Sequence, residues 1–297
     1  MNEFPLNRRQ AVSATLVVLL SPVVGLSQQS KKSEVADDQT GLSAWVDVYA
    51  EIAAGHDFRL RNELDTKLEF QSKPIQVYSH PSGLAGTHGA FFVWTRAGRP
   101  QIIGSIWSYD AANDRRTIVH EFDSFALSPV ADIAIAQGTW KQQHIVVPKL
   151  VPEAPPPAAN ARARLSQMKA IAQRFEGFTT SRKPEVQLRM LARPVYQFQA
   201  GEGEVRDVAM FCFFADWDPE IVLLIESSMT PEGERWHYSA GRFNIVPMWL
   251  NYDGAEIWRV EQEPSTGITF GDPEGPFFAV HDVAARPRRA PSKQEEK

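Results

Sequence analysis

The chain has 297 residues with 31 Lys or Arg and 36 Asp or Glu, which gives a formal net charge of −5. A mildly acidic chain without a basic stripe is a poor candidate for binding nucleic acid, because proteins hold nucleic acid largely by neutralising its phosphates. The chain contains one cysteine, so no internal disulfide can form and stability must come from the hydrophobic core.

The N-terminus has the pattern of an export signal. Arg8 and Arg9 precede an apolar run at residues 11–20, and small residues at positions 25 and 27 favour cleavage after residue 27. The run is shorter than the stretch of about 20 residues that a membrane-spanning helix needs, so we expect no membrane span after cleavage. Residues 1–27 are thus predicted to direct export to the periplasm or beyond, by either the Sec or the twin-arginine route.

The next segment, residues 28–41, and the tail, residues 284–297, are polar or proline-rich and show no periodicity. Both are predicted to be disordered. A third segment, residues 148–160, contains five prolines within ten residues and is predicted to be a linker.

An internal match divides the remainder into two copies. Residues 90–116 match residues 209–235 at a shift of 119, and upstream segments match at a shift of 120. A match of this kind predicts a duplicated unit. The identical pairs are Ala90/Ala209, Phe92/Phe211, Pro100/Pro219, Ile102/Ile221, Ile106/Ile225, Ser108/Ser227 and Arg116/Arg235.

Each copy begins with a helical pattern and continues with alternating strands. Apolar residues recur at helical spacing from residue 42 to Gly55 and again up to Gly177, with Asn160 as a candidate N-cap. Short turns between the alternating segments predict antiparallel hairpins. The predicted fold class is α+β, with two tandem repeats at residues 42–147 and 161–283. Each repeat is a helix packed on a curved antiparallel sheet of about four strands.

The sequence Val119-His-Glu-Phe-Asp123 is the most chemically suggestive cluster. On a strand, His120 points away from Glu121 and Asp123, whereas the two acids share one face and form a candidate carboxylate pair. The competing interpretation, which we favour, is a solvated strand edge with alternating charge.

A glycine-rich loop carries two more candidates, His80 and His88. Neighbouring histidines can bind a metal or assist a serine nucleophile, but this spacing matches no established motif. A polar loop tip is the favoured interpretation, and no metal or cofactor is predicted.

Three further features have structural interpretations. Cys212 lies in the middle of an apolar strand, and the corresponding residue in the other copy is Val93, which predicts core packing. Arg116 and Arg235 match between copies, which predicts a role in the fold. Residues 216–220 alternate carboxylates as calcium loops do, but they lack the glycine and terminal glutamate of such loops and are predicted to form a solvated turn.

Three segments carry a resemblance to known sequences: residues 88–100 (HGAFFVWTRAGRP), residues 188–196 and residues 235–243 (RWHYSAGRF). They resemble a family of uncharacterised exported proteins of planctomycete bacteria, over most of the mature chain. The resemblance implies export and a common architecture, and it implies no activity.

The function that the sequence favours is an exported binding or structural module that takes a small ligand or a protein partner in a crevice between the repeats. The alternative is a hydrolase or metal-assisted enzyme that uses His80, His88, His120, Glu121 and Asp123 of the first repeat. Histidines gathered near one point would favour the enzyme, and a crevice lined by Trp and Phe would favour binding.

Overall fold

The chain folds mainly into antiparallel β-sheet. The computed structural model describes residues 42–80, 86–113, 115–180, 185–199 and 205–287, so the predicted export signal, residues 28–41 and residues 288–297 lie outside the described residues. Residues 284–287, which were predicted to belong to a disordered tail, instead end a strand. Strands make up 54% of the structure and helices 11%, with large curled sheets. The predicted α+β fold of two helix-on-sheet repeats is therefore wrong.

Residues 42–140 contain one helix, α1, and nine strands among the described residues. Helix α1 spans residues 42–54, and the N–H of Gly55 closes it by bonding the Glu51 and Ile52 carbonyls. The strands are β1 (Arg59–Leu60), β2 (Glu63–Lys67), β3 (Glu69–Phe70), β4 (Gln76–His80), β5 (Thr87–Arg96), β6 (Arg99–Ala111), β7 (Arg115–Ser124), β8 (Ile133–Ile135) and β9 (Gly138–Trp140).

Residues 149–287 contain the second helix and twelve strands in their described part. Helix α2 (Ala161–Ala172) begins at the predicted cap Asn160, whose side chain accepts a hydrogen bond from the Ala163 N–H. The strands are β10 (Lys149–Leu150), β11 (Phe175–Thr179), β12 (Val186–Met190), β13 (Tyr196–Gln199), β14 (Val205–Phe214), β15 (Pro219–Thr230), β16 (Gly233–Arg242), β17 (Met248–Tyr252), β18 (Ala255–Val260), β19 (Ser265–Thr266), β20 (Thr269–Phe270) and β21 (Phe277–Pro287).

Two large sheets organise these strands. Sheet I has the order β19-β20-β21-β7-β6-β5-β3, with β4 also paired to β5. Sheet II has the order β10-β16-β15-β14-β12-β11-β17-β18, with β13 also paired to β14. Two small sheets, β1-β2 and β8-β9, complete the described strands.

The four-strand prediction fails because each sheet takes strands from outside its own repeat. Strand β21, from the C-terminal part of the chain, pairs with β7 and extends sheet I. Strand β10, inside the predicted proline-rich linker, pairs with β16, and the next residue, Val151, is buried. Such additions cover sheet edges, which otherwise expose unpaired backbone groups.

Three apolar cores hold the layers together. One lies between α1 and sheet I and includes Ile102 and Ile106 of β6. A second lies between α2 and sheet II. The third lies between the two sheets and joins Ile103 of sheet I to residues such as Val222 and Leu224 of sheet II. Neighbouring residues of β6 enter different cores because successive side chains on a strand point to opposite faces.

The strands that match in sequence pair with the same register in both sheets, up to β6 in sheet I and β15 in sheet II. Ala90 lies opposite Ile106 in sheet I, and Ala209 lies opposite Ile225 in sheet II, at the shift of 119. The next pairing differs, since Ile106 faces His120 but Ile225 faces Tyr238, which is a shift of 118. The loop between β15 and β16 is one residue shorter than that between β6 and β7.

Because a shift of one residue moves side chains to the opposite face of a strand, the two matched arginines face different surroundings. Arg116 is buried on the α1 side of sheet I and binds Ser108 and Asp110 at 2.8 Å each. Arg235 is exposed. The predicted structural role therefore applies to Arg116 and is wrong for Arg235.

A buried ion pair crosses the interface between the sheets. Arg99 Nε and Nη2 donate to the two carboxylate oxygens of Glu226 at 2.8 and 3.2 Å. Arg99 Nη1 donates to the backbone carbonyls of Pro100 and Phe125 at 3.1 and 2.8 Å. Both side chains are almost fully buried, at 8% and 3% exposure. The guanidinium is thus neutralised and hydrogen-bonded where no water can replace its partners.

Removal of the Glu226 carboxylate should destabilise the protein strongly. We expect Glu226→Ala to lower the free energy of unfolding by about 3–5 kcal/mol, because it leaves the Arg99 charge buried without a partner. The exposed pair Glu256–Arg259 provides the control, and Glu256→Ala should cost far less than Glu226→Ala, because water solvates the arginine that is left. Urea denaturation of both variants measures the difference, and equal losses would contradict the assignment of Arg99–Glu226 as a buried pair.

Candidate functional site

A cavity of about 360 Å³ opens between sheet I and two turns of sheet II. Its walls are mainly aromatic, and its polar groups are few. The aromatic lining residues are Tyr78, Phe91, Trp107, Tyr109, Phe243 and Phe270. The polar and ionisable lining residues are His80, Thr87, Glu121, Asp218, Asn244 and His281.

Strand alternation brings the sheet I residues to this cavity. Trp107 and Tyr109 are two apart on β6, and Val119 and Glu121 are two apart on β7, so each pair shares a face. His281 on β21 continues that face on the next strand. The floor of the cavity is therefore the surface of sheet I that faces sheet II, beyond the end of the apolar inter-sheet core.

Glu121 is the carboxyl group on the cavity floor. Trp107 Nε1 donates a hydrogen bond to its Oε2 at 3.0 Å. The pKa of Glu121 is raised to about 8, chiefly by burial and to a smaller extent by the charges of Asp218 and Glu220, while the Trp107 hydrogen bond opposes the rise. The acid is therefore largely protonated at neutral pH while it remains partly accessible from the cavity.

The opposite wall comes from a turn of sheet II, residues 215–219. Asp216 adopts a left-handed φ of 76°, Trp217 is exposed, and Asp218 with Pro219 lines the cavity. Asp218 Oδ1 lies 3.8 Å from His80 Nε2. The predicted solvated turn is therefore correct for Trp217, whereas Asp218, predicted to be solvated as part of the same turn, lies in the cavity wall.

His281 is a site residue that sequence reasoning missed. Its ring lies 5.9 Å from Tyr109 and 4.7 Å from Phe270 between centroids, and burial lowers its pKa. Its strand is far from β7 in sequence and follows a run of short strands. Periodicity marks such a segment as a strand but does not say which sheet it joins.

Of the five residues predicted from the sequence, His80 and Glu121 reach the cavity, while the other three lie elsewhere. His88 points to the α1 side of sheet I, where the Tyr49 hydroxyl lies 2.7 Å from its Nδ1. Burial lowers the pKa of His88 to about 3, and the charge of Arg116 adds to this effect. His80 and His88 were predicted to share a polar loop tip, but His80 ends β4 and His88 belongs to β5.

His120 also faces α1, as the alternation predicts. Its Nδ1 lies 3.2 Å from His56 Nε2 in the core, and burial lowers the pKa of His56 to about 3. Both rings are nearly inaccessible, at 9% for His56 and 6% for His120. This histidine pair is therefore part of the packing between α1 and sheet I.

Asp123 lies on the same face as Glu121 but outside the cavity lining. It is buried between the sheets, and its Oδ2 accepts a hydrogen bond from the Arg242 N–H at 2.7 Å. Burial raises its pKa to about 8, opposed by hydrogen bonds and the charge of Arg242. The favoured interpretation of Glu121 and Asp123 as a solvated strand edge is therefore wrong, since sheet II covers this face.

Cys212 lies in the inter-sheet core, as predicted, and burial raises the pKa of its thiol to about 12. Within the described ranges, no group of three or more His, Cys, Asp or Glu side chains is placed to hold a metal ion. The described helices are too short or too polar for any of them to cross a bilayer.

No protein-family model, curated protein or solved structure matches this chain.

The raised pKa of Glu121 predicts a pH-dependent gain in stability for Glu121→Gln. Between about pH 4.5 and pH 8 the folded protein keeps a proton that the unfolded chain has lost, so this carboxyl lowers stability as the pH rises. Glutamine removes the titration and keeps the shape. We expect the variant and the parent to melt alike near pH 4.5 and the variant to be more stable at pH 8, by a few kcal/mol at most.

Thermal unfolding across this pH range measures the effect. Glu176→Gln, an exposed position on β11, is the matched control and should show no pH-dependent difference. If Glu121→Gln changed the melting temperature equally at pH 5 and pH 8, the Glu121 carboxyl would not be the desolvated group described above.

Proposed function

We propose that the protein is an exported binding module that takes a small organic ligand into the cavity between the two sheets. The observation that carries this proposal is the aromatic cavity with one desolvated carboxyl on its floor. A volume of about 360 Å³ falls in the range of about 300–1,000 Å³ that is typical of small-molecule sites. Mostly apolar walls with a few fixed polar groups are also typical of such sites.

The arrangement of the histidines argues against the hydrolase or metal-assisted alternative. His80 lines the cavity, His88 bonds Tyr49 and His120 contacts His56, so the three rings serve three different environments. A nucleophile with an adjacent base and orienting group would need them together. The aromatic lining instead supports binding.

Export belongs to the same proposal and depends on the basic and apolar N-terminal pattern and on the family resemblance. A periplasmic or extracellular module of this kind would meet its ligand as a free small molecule. The stable apolar cores provide the rigidity that a preformed site needs without a disulfide.

The test fills the cavity by one substitution. Ala279 lines the cavity and is buried on β21, whereas Ala255 is exposed on β18. Ala279→Leu should abolish binding, and Ala255→Leu should leave it unchanged. A thermal-shift screen of the parent protein against amines, sugars and short peptides identifies ligands, because a ligand at 100 times its Kd stabilises by about 2.7 kcal/mol.

Ligands that stabilise the parent and Ala255→Leu but not Ala279→Leu would support the cavity as the binding site. A ligand that stabilises all three proteins equally binds elsewhere. A flat response of the parent protein across the whole panel would count against a small-molecule function.

A further inference from the structure

The cavity has a counterpart at the other end of the inter-sheet interface. Thr95 pairs with Pro100 in sheet I as Phe214 pairs with Pro219 in sheet II, so Arg99 and Asp218 occupy equivalent places. By the same register, Gly89 pairs with Trp107 in sheet I as Val208 pairs with Glu226 in sheet II, so Trp107 and Glu226 also occupy equivalent places. Arg99 of sheet I contacts Glu226 of sheet II. When the two sheets are exchanged, the equivalent residues are Asp218 of sheet II and Trp107 of sheet I, which both line the cavity.

The backbone around the two places also corresponds. The Phe125 N–H bonds the Gln101 carbonyl at 2.7 Å, and the Phe243 N–H bonds the Glu220 carbonyl at 2.8 Å. Phe125 and Phe243 thus hold the same position relative to their strands. Pro219 and Phe243, the counterparts of the two residues whose carbonyls bind Arg99, line the cavity.

At the end of the interface opposite the cavity, Arg99 of the chain itself supplies a guanidinium. Arg99 donates four hydrogen bonds there, two to Glu226 and two to backbone carbonyls, and is almost completely buried. This end of the interface therefore shows that the backbone arrangement can surround an organic cation once one carboxylate accompanies it.

At the cavity end, the described lining residues include the carboxyl groups of Glu121 and Asp218, and His80 Nε2 lies 3.8 Å from Asp218 Oδ1. Asp218 replaces Arg99, and Glu121 on β7 brings a carboxyl group beside Trp107. Among the described lining residues there is neither lysine nor arginine. The hydrogen bond from Trp107 is the one that Glu121 Oε2 accepts within the described chain, which leaves Oε1 for a ligand.

The aromatic rings of the lining favour the same ligand charge. Trp107 and Tyr109 adjoin each other on the cavity floor, with ring centroids 5.8 Å apart. The face of an aromatic ring carries negative potential and attracts an ammonium or guanidinium group, most strongly when water is excluded. Carboxyl groups and ring faces together select against anions.

We infer that the ligand of this cavity is an organic cation, an amine or guanidinium attached to an apolar group, held by Glu121 and Asp218 against the Trp107 and Tyr109 rings. This inference depends on the proposed binding function and names the ligand class. The ligand's cation takes the place that Arg99 fills at the other end of the interface.

The ionisation of Glu121 couples binding to pH. Its carboxyl interacts electrostatically with Asp218 of the sheet II turn, Glu220 of β15 and the Tyr78 hydroxyl, and the same cavity is lined by His80 from β4 and His281 from β21. With a pKa of about 8, about 1% of it is ionised at pH 6 and about half at pH 8. A cation that binds the ionised form should therefore bind about 50-fold more tightly at pH 8 than at pH 6 and release a proton.

The test compares three probes of similar size by isothermal titration calorimetry: 2-phenylethylguanidinium, 2-phenylethanol and 3-phenylpropanoate. The guanidinium keeps its charge throughout this pH range, so a change in its affinity reports on the protein. We expect the guanidinium to bind at least about tenfold more tightly than the alcohol at pH 8 and the carboxylate to bind most weakly.

Two variants separate charge from shape. Glu121→Gln should remove the preference for the guanidinium over the alcohol together with its pH dependence, and Asp218→Asn should weaken guanidinium binding. Glu176→Gln, on the exposed part of β11, should behave as the parent.

The outcomes distinguish this inference from the proposed function. If the alcohol binds as tightly as the guanidinium and Ala279→Leu abolishes both, the cavity is a binding site and the cation inference is wrong. If guanidinium binding survives Ala279→Leu, or no probe binds at millimolar concentration, the inference is overturned. The proposed function itself fails only if the wider panel also leaves the protein unaffected.

Discussion

The central strands of sheet I, β5 to β7, are buried on both faces, and this constraint decides the role of almost every residue on them. Even-numbered residues such as Ile106 and Phe122 pack against α1, while odd-numbered residues such as Phe91 and Ile103 face sheet II. A strand has only two faces, so each polar residue must also enter one of the two interiors. Polar side chains there need a partner or must stay neutral.

The ends of the inter-sheet interface meet this requirement in two ways. At one end, Arg99 and Glu226 neutralise each other and fill the space. At the other end, the shorter Asp218 stands in the place of Arg99 and Trp107 in that of Glu226, and a cavity remains. A pair of charges supplied by the chain stabilises the closed contact, whereas the described cavity lining holds carboxyl groups but neither lysine nor arginine, and there we propose a cation from solution.

The Glu121 carboxyl in this cavity lowers the stability of the folded protein. A buried carboxyl with a pKa near 8 resists ionisation, because the low-dielectric surroundings stabilise a charge less well than water does. Strongly perturbed carboxyl groups of this kind cluster at functional sites. The apolar cores on either side of both sheets supply enough burial for the fold to persist with such a group at its interface.

Local physics made part of this structure predictable. The strands β4 to β7, helix α1, the Asn160 cap and the opposed faces of His120 and Glu121 follow from side-chain periodicity and capping, which depend on a few neighbouring residues. The number of strands in each sheet was not predictable, because β10 and β21 pair with strands that are far from them in the sequence. The internal match stays a prediction about ancestry, although matched strands share their register as far as β15.

The sequence by itself determined which residues alternate on each strand and that Cys212 belongs to a core. Only the tertiary structure decided that Glu121 lies half-buried in a cavity between two sheets, that Asp218 and His281 line the same cavity, and that His88 and His120 do not. The reason is that alternation assigns a residue to one of two faces, while the chemistry of that residue depends on what covers the face. Here a second sheet covers the face and a C-terminal strand is added beside β7, both from distant parts of the chain, and side-chain spacing carries no information about either.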